Sequence, residues 1–258
     1  MIFIESKENT LFKATKKLKE KRARIKEEKY IIEGFRLVQE AFKAGCEIET
    51  LIIEEKSKDK IDQWFKEYEI EAKQFLMSTD LFNQLTSTET PQGVIAVVKM
   101  QKDFDKKYGD FYLLCDKVQD PGNLGTIIRT AHAAGVSGII LTKGTVDIYN
   151  DKVLRSTMGS IFYIPIIHDD NLQYTKSLKE DGFKIVATSL QESKNFFDVD
   201  LKGKVILTVG NEGNGVSEEI FELCDTKVKI PMPGGAESLN VSIASSIILF
   251  EKVRQELC

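Results

Sequence analysis

Cysteine and histidine are scarce in this chain. Its 258 residues include four cysteines, Cys46, Cys115, Cys224 and Cys258, and two histidines, His132 and His168. They are too scattered for a zinc site of ordinary ligand spacing or a disulfide framework, and they fit a reducing, cytoplasmic setting. No metal site is expected. No apolar run approaches the ~18–20 residues of a membrane-spanning helix. After the short apolar Met1–Ile4 the N-terminus is polar and charged, unlike the basic-then-apolar order of a signal peptide. There is no internal repeat and no low-complexity tract. The net charge of −4 does not advertise nucleic acid, and the 42% apolar fraction is that of a soluble globular protein.

The charge that is present is unevenly spread. Lys13 to Lys29 reads as one helical run rich in Lys and Arg, including Arg24. A solvated helix face is the plain reading. A phosphate-facing patch is the functional one, since positive charge supplies most sequence-independent affinity for nucleic acid. After it come a strand (Tyr30–Ile32), a helix closed by Gly45, a strand (48–53), a helix over Lys56 to Tyr68, and shorter pieces up to the strand Val94–Val98. This alternation predicts a small α/β domain over residues 1–100. A charge-rich connection follows at 101–110, within the polar stretch that opens at Lys99. Residues 111–258 then alternate strand and helix, with strands at Phe111–Cys115, Ser137–Thr142, Ile161–Ile167, Lys184–Thr188 and Lys204–Gly210. Continuous apolar strands of this kind predict a covered, doubly wound parallel sheet.

Ligands of open parallel sheets bind beyond the carboxyl ends of the strands. Three loops there are rich in Gly, Asn and charge: Asp116 to Gly125, Gly210 to Gly215, and Pro231 to Asn240. The last has two prolines and two glycines before a helix that takes Ser238 or Asn240 as a cap. None of the three has the G-x-G-x-x-G order of a dinucleotide site, or the Lys-Ser/Thr ending of a phosphate loop. No Ser or Cys stands on a nucleophile elbow, which disfavours a hydrolase.

Taken together, DPGNLGTIIRTAHAAGV (Asp120–Val136), LTVGNEGNGVSEEI (Leu207–Ile220) and IPMPGGAESLNVSIASSIILFE (Ile230–Glu251) resemble the three motifs of the SpoU (TrmH-type) RNA ribose 2'-O-methyltransferases of the SPOUT class. The likeness spans the second domain. YIIEGFRLVQEA (Tyr30–Ala41) and TETPQGVIAVV (Thr88–Val98) resemble the family's ribosomal-protein-like RNA-binding module. The resemblance implies a C-terminal trefoil knot, a homodimer, and S-adenosylmethionine as methyl donor. The donor would be held largely by the main chain of Thr188, Ser189, Leu190, Val209, Gly210, Asn211, Glu212, Gly213, Ile230, Met232, Ser238 and Leu239. Arg129 would hold the phosphate beside the target ribose. Asn123 would orient Arg129 or the ribose, Glu212 would fix Arg129 or Asn123, and Ser238 and Asn240 would shape the donor pocket and touch the ribose. Ribosomal RNA is the expected substrate. Transfer RNA, or a non-catalytic RNA-binding protein on the same scaffold, are the alternatives.

Overall fold

The computed structural model describes residues 1–66, 68, 70–101, 109–191 and 193–258. Two compact units emerge, Met1–Asp103 with Tyr149–Phe162, and Phe104–Ile148 with Tyr163–Cys258. Most of the expected connection at 101–110 falls on 102–108, outside the described residues.

The first unit contains β1 (Ile2–Ile4), α1 (Thr10–Lys17), α2 (Lys21–Glu27), β2 (Lys29–Glu33), α3 (Phe35–Lys43), β3 (Ile48–Glu54), α4 (Lys58–Trp64), β4 (Lys73–Met77), α5 (Thr79–Leu85) and β5 (Val94–Lys99). Its mixed sheet runs β1-β4-β3-β5-β2. Ile4, Phe12, Ile52, Met77, Phe82 and Ile95 form its core.

Three expectations change in this unit. The basic run is two short helices, and the reason is Arg24. Its buried guanidinium donates from Nη1 to the Leu18 and Lys19 carbonyls at 2.9 and 2.7 Å, folding α2 back onto the end of α1. Arg24 is thus a bracket within the fold, not a phosphate contact. The helix expected over Lys56 to Tyr68 is shorter. Ser57 Oγ donates to Glu54 Oε2 at 2.8 Å, holding the chain to the end of β3 as a 3-10 turn before α4 begins. Lys99 ends a strand, opposite Lys29, and does not open the connection.

The second unit continues with β6 (Phe111–Cys115), α6 (Pro121–Ala133) and β7 (Gly138–Leu141). The chain then gives α7 (Asp151–Thr157) to the first unit. It returns through β8 (Ile166–His168), α8 (Gln173–Glu180), β9 (Lys184–Thr188), β10 (Lys194–Asn195), β11 (Val205–Val209), α9 (Glu218–Phe221), β12 (Thr226–Lys229) and α10 (Val241–Leu257). The strand expected over Ile161–Ile167 is reduced to β8. Gly159 has φ +92°, Ser160–Phe162 form a 3-10 turn, and Pro165 has no N–H for a ladder.

All neighbouring strands of this second sheet are parallel, in the order β10-β12-β9-β11-β6-β7-β8. Leu114, Ile140, Ile185, Ala187 and Ile206 pack at its centre. The central strands β6 and β11 are buried along their whole length, as a sheet covered on both faces requires. Their C-terminal ends, Cys115 and Val209, are register partners. The loops that leave them therefore start side by side.

Candidate active site

The loop after β6 begins with Asp116, which is 1% exposed. Its carboxylate accepts Thr142 Oγ1 at 2.8 Å and the Ser217 amide at 2.7 Å. A buried carboxylate is stable only when its lone pairs are met, and here they tie the ends of β6 and β7 to the segment after β11. One residue on, the Lys117 carbonyl accepts Asn211 Nδ2 at 2.9 Å. Asn211 Oδ1 accepts the amides of Gly213 and Asn214, each at 3.0 Å. The loop from Gly210 to Gly215 is closed by a reciprocal pair of 2.9 Å hydrogen bonds between the backbones of Asn211 and Gly215.

Glu212 stands at the tip of that loop. Its carboxylate accepts the amides of Gln119 (3.2 Å) and Asp120 (3.0 Å), and Asn123 Nδ2 (3.1 Å). Asn123 Oδ1 in turn accepts Asn240 Nδ2 at 3.0 Å. Asn240 Oδ1 accepts the Ser242 amide at 2.9 Å and Ser242 Oγ at 2.6 Å, capping α10. Asp120 caps α6 in the same way, through the Asn123 amide at 2.8 Å. Three loops that are remote in sequence are thus joined by the side-chain series Glu212–Asn123–Asn240.

Beside this series opens a cavity of about 720 Å³, lined by residues that follow β9, β11 and β12 and by the start of α10. Thr188, Ser189, Leu190, Val209, Gly210, Asn211, Glu212, Gly213, Ile230, Met232, Ser238 and Leu239 all line it. The volume falls in the ~300–1,000 Å³ range of small-molecule sites. Leu190, Phe221, Met232 and Leu239 supply apolar wall. The amides of Met232, Ser238 and Leu239 donate to no other group among the described residues. No cysteine or histidine lines the cavity. Among the described residues, no group of three or more His, Cys, Asp or Glu side chains could hold a metal ion. The lining offers a ligand main-chain polar groups and apolar wall.

Arg129 lies elsewhere. It is exposed on α6, outside the cavity lining, and has no hydrogen bond or ion pair among the described residues. It lies six positions on from Asn123, which on a helix is about 9 Å along the axis and ~120° around it. Glu212 therefore holds Asn123 and not Arg129. Ser238 lines the cavity but caps nothing, because the helix starts after Asn240.

Residues 110–250 match the family model described as the SpoU rRNA Methylase family, and residues 9–96 match an MRM3-like substrate binding domain. The chain belongs to the SpoU methylase family. Among its SpoU relatives, the Bacillus subtilis (strain 168) protein named 23S rRNA (guanosine(2553)-2'-O)-methyltransferase RlmP is 38% identical, over 96% of this chain and 97% of that protein. The AdoMet-bound rRNA methyltransferase from Sinorhizobium meliloti superposes with a TM-score of 0.86, at 32% identity, covering 99% of this chain and 98% of that one. The SpoU methyltransferase AviRb from Streptomyces viridochromogenes, in complex with AdoMet, gives 0.87 at 31% identity, with 96% and 98% covered.

Some residues of this SpoU site escaped sequence reading. Asp116 and Thr142 brace the loops from below, and Phe221 and Lys229 line the cavity. Asp116 had one available signal, a carboxylate directly after a wholly apolar strand. Phe221 had none, because an aromatic on a short helix reads as core.

Burial opposes ionisation of Glu212, but hydrogen bonds from Asn123 and from the Asp120, Glu212 and Gln119 amides outweigh it and hold its carboxyl below the ordinary 4.5. The folded value is the lower one. The stabilisation is therefore complete above the unfolded value and lost as pH falls through the folded one. Glu212→Gln is expected to lower the melting temperature by a constant amount at neutral pH. The gap to wild type should close once pH drops below about 4.5. A gap that already shrinks between about pH 7 and pH 5 would contradict this account of the carboxylate.

Proposed function

We propose that this chain transfers a methyl group from S-adenosylmethionine to a ribose 2'-hydroxyl of ribosomal RNA. The observation that carries the reading is the joining of the three motif loops through Glu212, Asn123 and Asn240 at the edge of a cavity lined by main-chain groups. The donor set fits the molecule: free amides at Met232, Ser238 and Leu239 for a polar ring edge, apolar wall at Leu190, Phe221 and Met232, and the Glu212 and Glu218 carboxylates for a cation. Bound there, S-adenosylmethionine supplies an activated methyl on a sulfonium. The chain's own residues supply position. Gly210 to Gly213 shape the wall, and Asn123 and Asn240 hold its edge rigid. Ser238 shapes the pocket and touches the ribose. Arg129 grips the neighbouring phosphate with its planar fork. Holding the attacking oxygen in line with the methyl is where most of the acceleration arises.

Two relatives that span nearly the whole chain, those from Bacillus subtilis and Sinorhizobium meliloti, are named for rRNA and favour ribosomal over transfer RNA. All five motif side chains, Asn123, Arg129, Glu212, Ser238 and Asn240, are present, which favours an enzyme over a non-catalytic RNA-binding protein. Residues 1–100 would bind the RNA and residues 111–258 transfer the methyl. The chain after β12 would pass through a loop to form a trefoil knot. A homodimer is supported by Ile243 and Phe250, 53% and 48% exposed on α10. The second copy would bring the phosphate-gripping Arg129 and the donor pocket into one site. Four free cysteines favour a reducing cytoplasm.

The test is methyl transfer from methyl-labelled S-adenosylmethionine to bulk ribosomal RNA. Label should enter the large RNAs as a 2'-O-methyl, seen as resistance of one linkage to alkaline cleavage. Donor binding with no RNA labelled, ribosomal or transfer, would return the chain to the non-catalytic alternative.

A further inference from the structure

The first unit has an opening of its own, of about 420 Å³, between α1, α2 and the sheet. Its floor is apolar, with Leu11 and Leu18 from the α1 side and Val97 from β5. Val97 and Thr50 are register partners on β5 and β3. Thr15 and Thr50 line the opening at 1% and 3% exposure. The Thr15 hydroxyl has no hydrogen-bond partner among the described residues. A buried hydroxyl without a partner is costly to a fold and rare in one, unless something outside the chain answers it.

The rim is cationic. Lys13, Lys17, Lys26 and Lys29 face it, against Glu27 and Glu49. Lys29 is spent on Glu49 at 2.5 Å and Lys13 on Glu8. Lys17 has no ion pair among the described residues, and Lys26 has one approach at 4.0 Å, to Glu27. The opening is held in shape by the buried Arg24, which fixes the turn between the two helices. An apolar slot over the buried, unmatched Thr15 hydroxyl, with the Lys17 and Lys26 ammonium groups at its lip, matches a flat heterocycle with a polar edge, attached to a phosphate. RNA-binding proteins read unpaired nucleotides by hydrogen bonds to the base edge, with the backbone on Lys or Arg; here the aliphatic Leu11, Leu18 and Val97 take the place of an aromatic stack.

We infer that the groove between α1, α2 and the β3–β5 face is a pocket for one unpaired RNA nucleotide, with the Thr15 hydroxyl on the base edge and Lys17 and Lys26 on its phosphates. The inference rests on the chain being an RNA methyltransferase. It makes the basic run a binding site for a particular nucleotide and not a diffuse charged face.

The experiment is amide NMR of the full chain titrated with nucleoside 5'-monophosphates one at a time, with inorganic phosphate as control. At least one monophosphate is expected to shift the amides of Thr15, Thr50 and Val97, while phosphate shifts those of the lysines alone. Ala14 is exposed on α1 and lines the groove, so Ala14→Phe fills the slot without disturbing the core. It should abolish the base-dependent shifts. Thr15→Val should weaken binding about tenfold, while the melting temperature stays level or rises because the unmatched hydroxyl is gone. Monophosphates that do no more than phosphate, or binding unchanged by Ala14→Phe, would overturn the pocket. So would displacement of the monophosphates by a poly-glutamate peptide, which would reassign the groove to an acidic protein. Methyl transfer by the same wild-type sample separates the two readings. Transfer to ribosomal RNA with Thr15 unmoved spares the activity and sinks the pocket; Thr15 shifted with no RNA methylated does the reverse.

Discussion

Gly210→Ala is expected to abolish donor binding and to lower the melting temperature by several degrees. A Cβ at Gly210 would fall 2.1 Å from the Gly215 carbonyl carbon, 2.2 Å from the Val216 nitrogen and 2.3 Å from the Gly215 oxygen. All three atoms are backbone, so no rotamer change relieves the clash. The loop that would have to open is closed by the paired Asn211–Gly215 hydrogen bonds, and it carries Glu212 into contact with Asn123. Overpacking costs ~1–3 kcal/mol where side chains can yield, and more where they cannot. For a chain of this size that is about 2–4 °C per kcal/mol. Calorimetry should show no heat on adding S-adenosylmethionine. Gly234→Ala is the control, since a Cβ there meets nothing within 4 Å. Donor affinity unchanged in Gly210→Ala would mean that the second loop does not form the donor wall.

Arg129→Ala should behave in the opposite way. Arg129 is exposed, unpaired among the described residues and outside the cavity lining, so neither the melting temperature nor donor affinity is expected to move. Transfer to RNA should fall by about 10²-fold or more, the cost of misplacing the reacting ribose by roughly an ångström. Arg129→Lys should recover little, because an ammonium lacks the guanidinium's fork. Methyl transfer at the wild-type rate in Arg129→Ala would remove the arginine from the reaction.

Much of the second unit was legible before any coordinates. Phe111–Cys115 and the strand expected over Lys204–Gly210, found as Val205–Val209, are apolar almost throughout, and a sheet covered on both faces buries such runs. The three loops stood out because Gly, Pro and Asn cluster at strand ends. What could not be read was how the loops meet. Glu212 and Asn123 are 89 residues apart, and Asn123 and Asn240 are 117 apart. Nothing local says that one amide bridges the other two groups. The placement of Arg129 away from Asn123 follows from helical phase, which was available, but its absence from the cavity lining was not. In the first unit the basic run misled because charge is read as exposed. Arg24 is buried, and a guanidinium facing two helix-end carbonyls leaves no periodicity signal. Pro165 is a visible break inside the strand expected over Ile161–Ile167, set among isoleucines that carry a strong strand signal.

The Glu212–Asn123–Asn240 series also has a polarity. A carboxylate can only accept, so Asn123 must turn its NH₂ toward Glu212 and its oxygen toward Asn240. Asn240 must then offer its own NH₂, which leaves its oxygen for the first turn of α10. One anion therefore dictates which way two amides face. Deamidation of either asparagine, a change of a single heavy atom, would set oxygen against oxygen and sever the link between the three loops, so chemical ageing at Asn123 or Asn240 would disable the site while leaving both sheets intact.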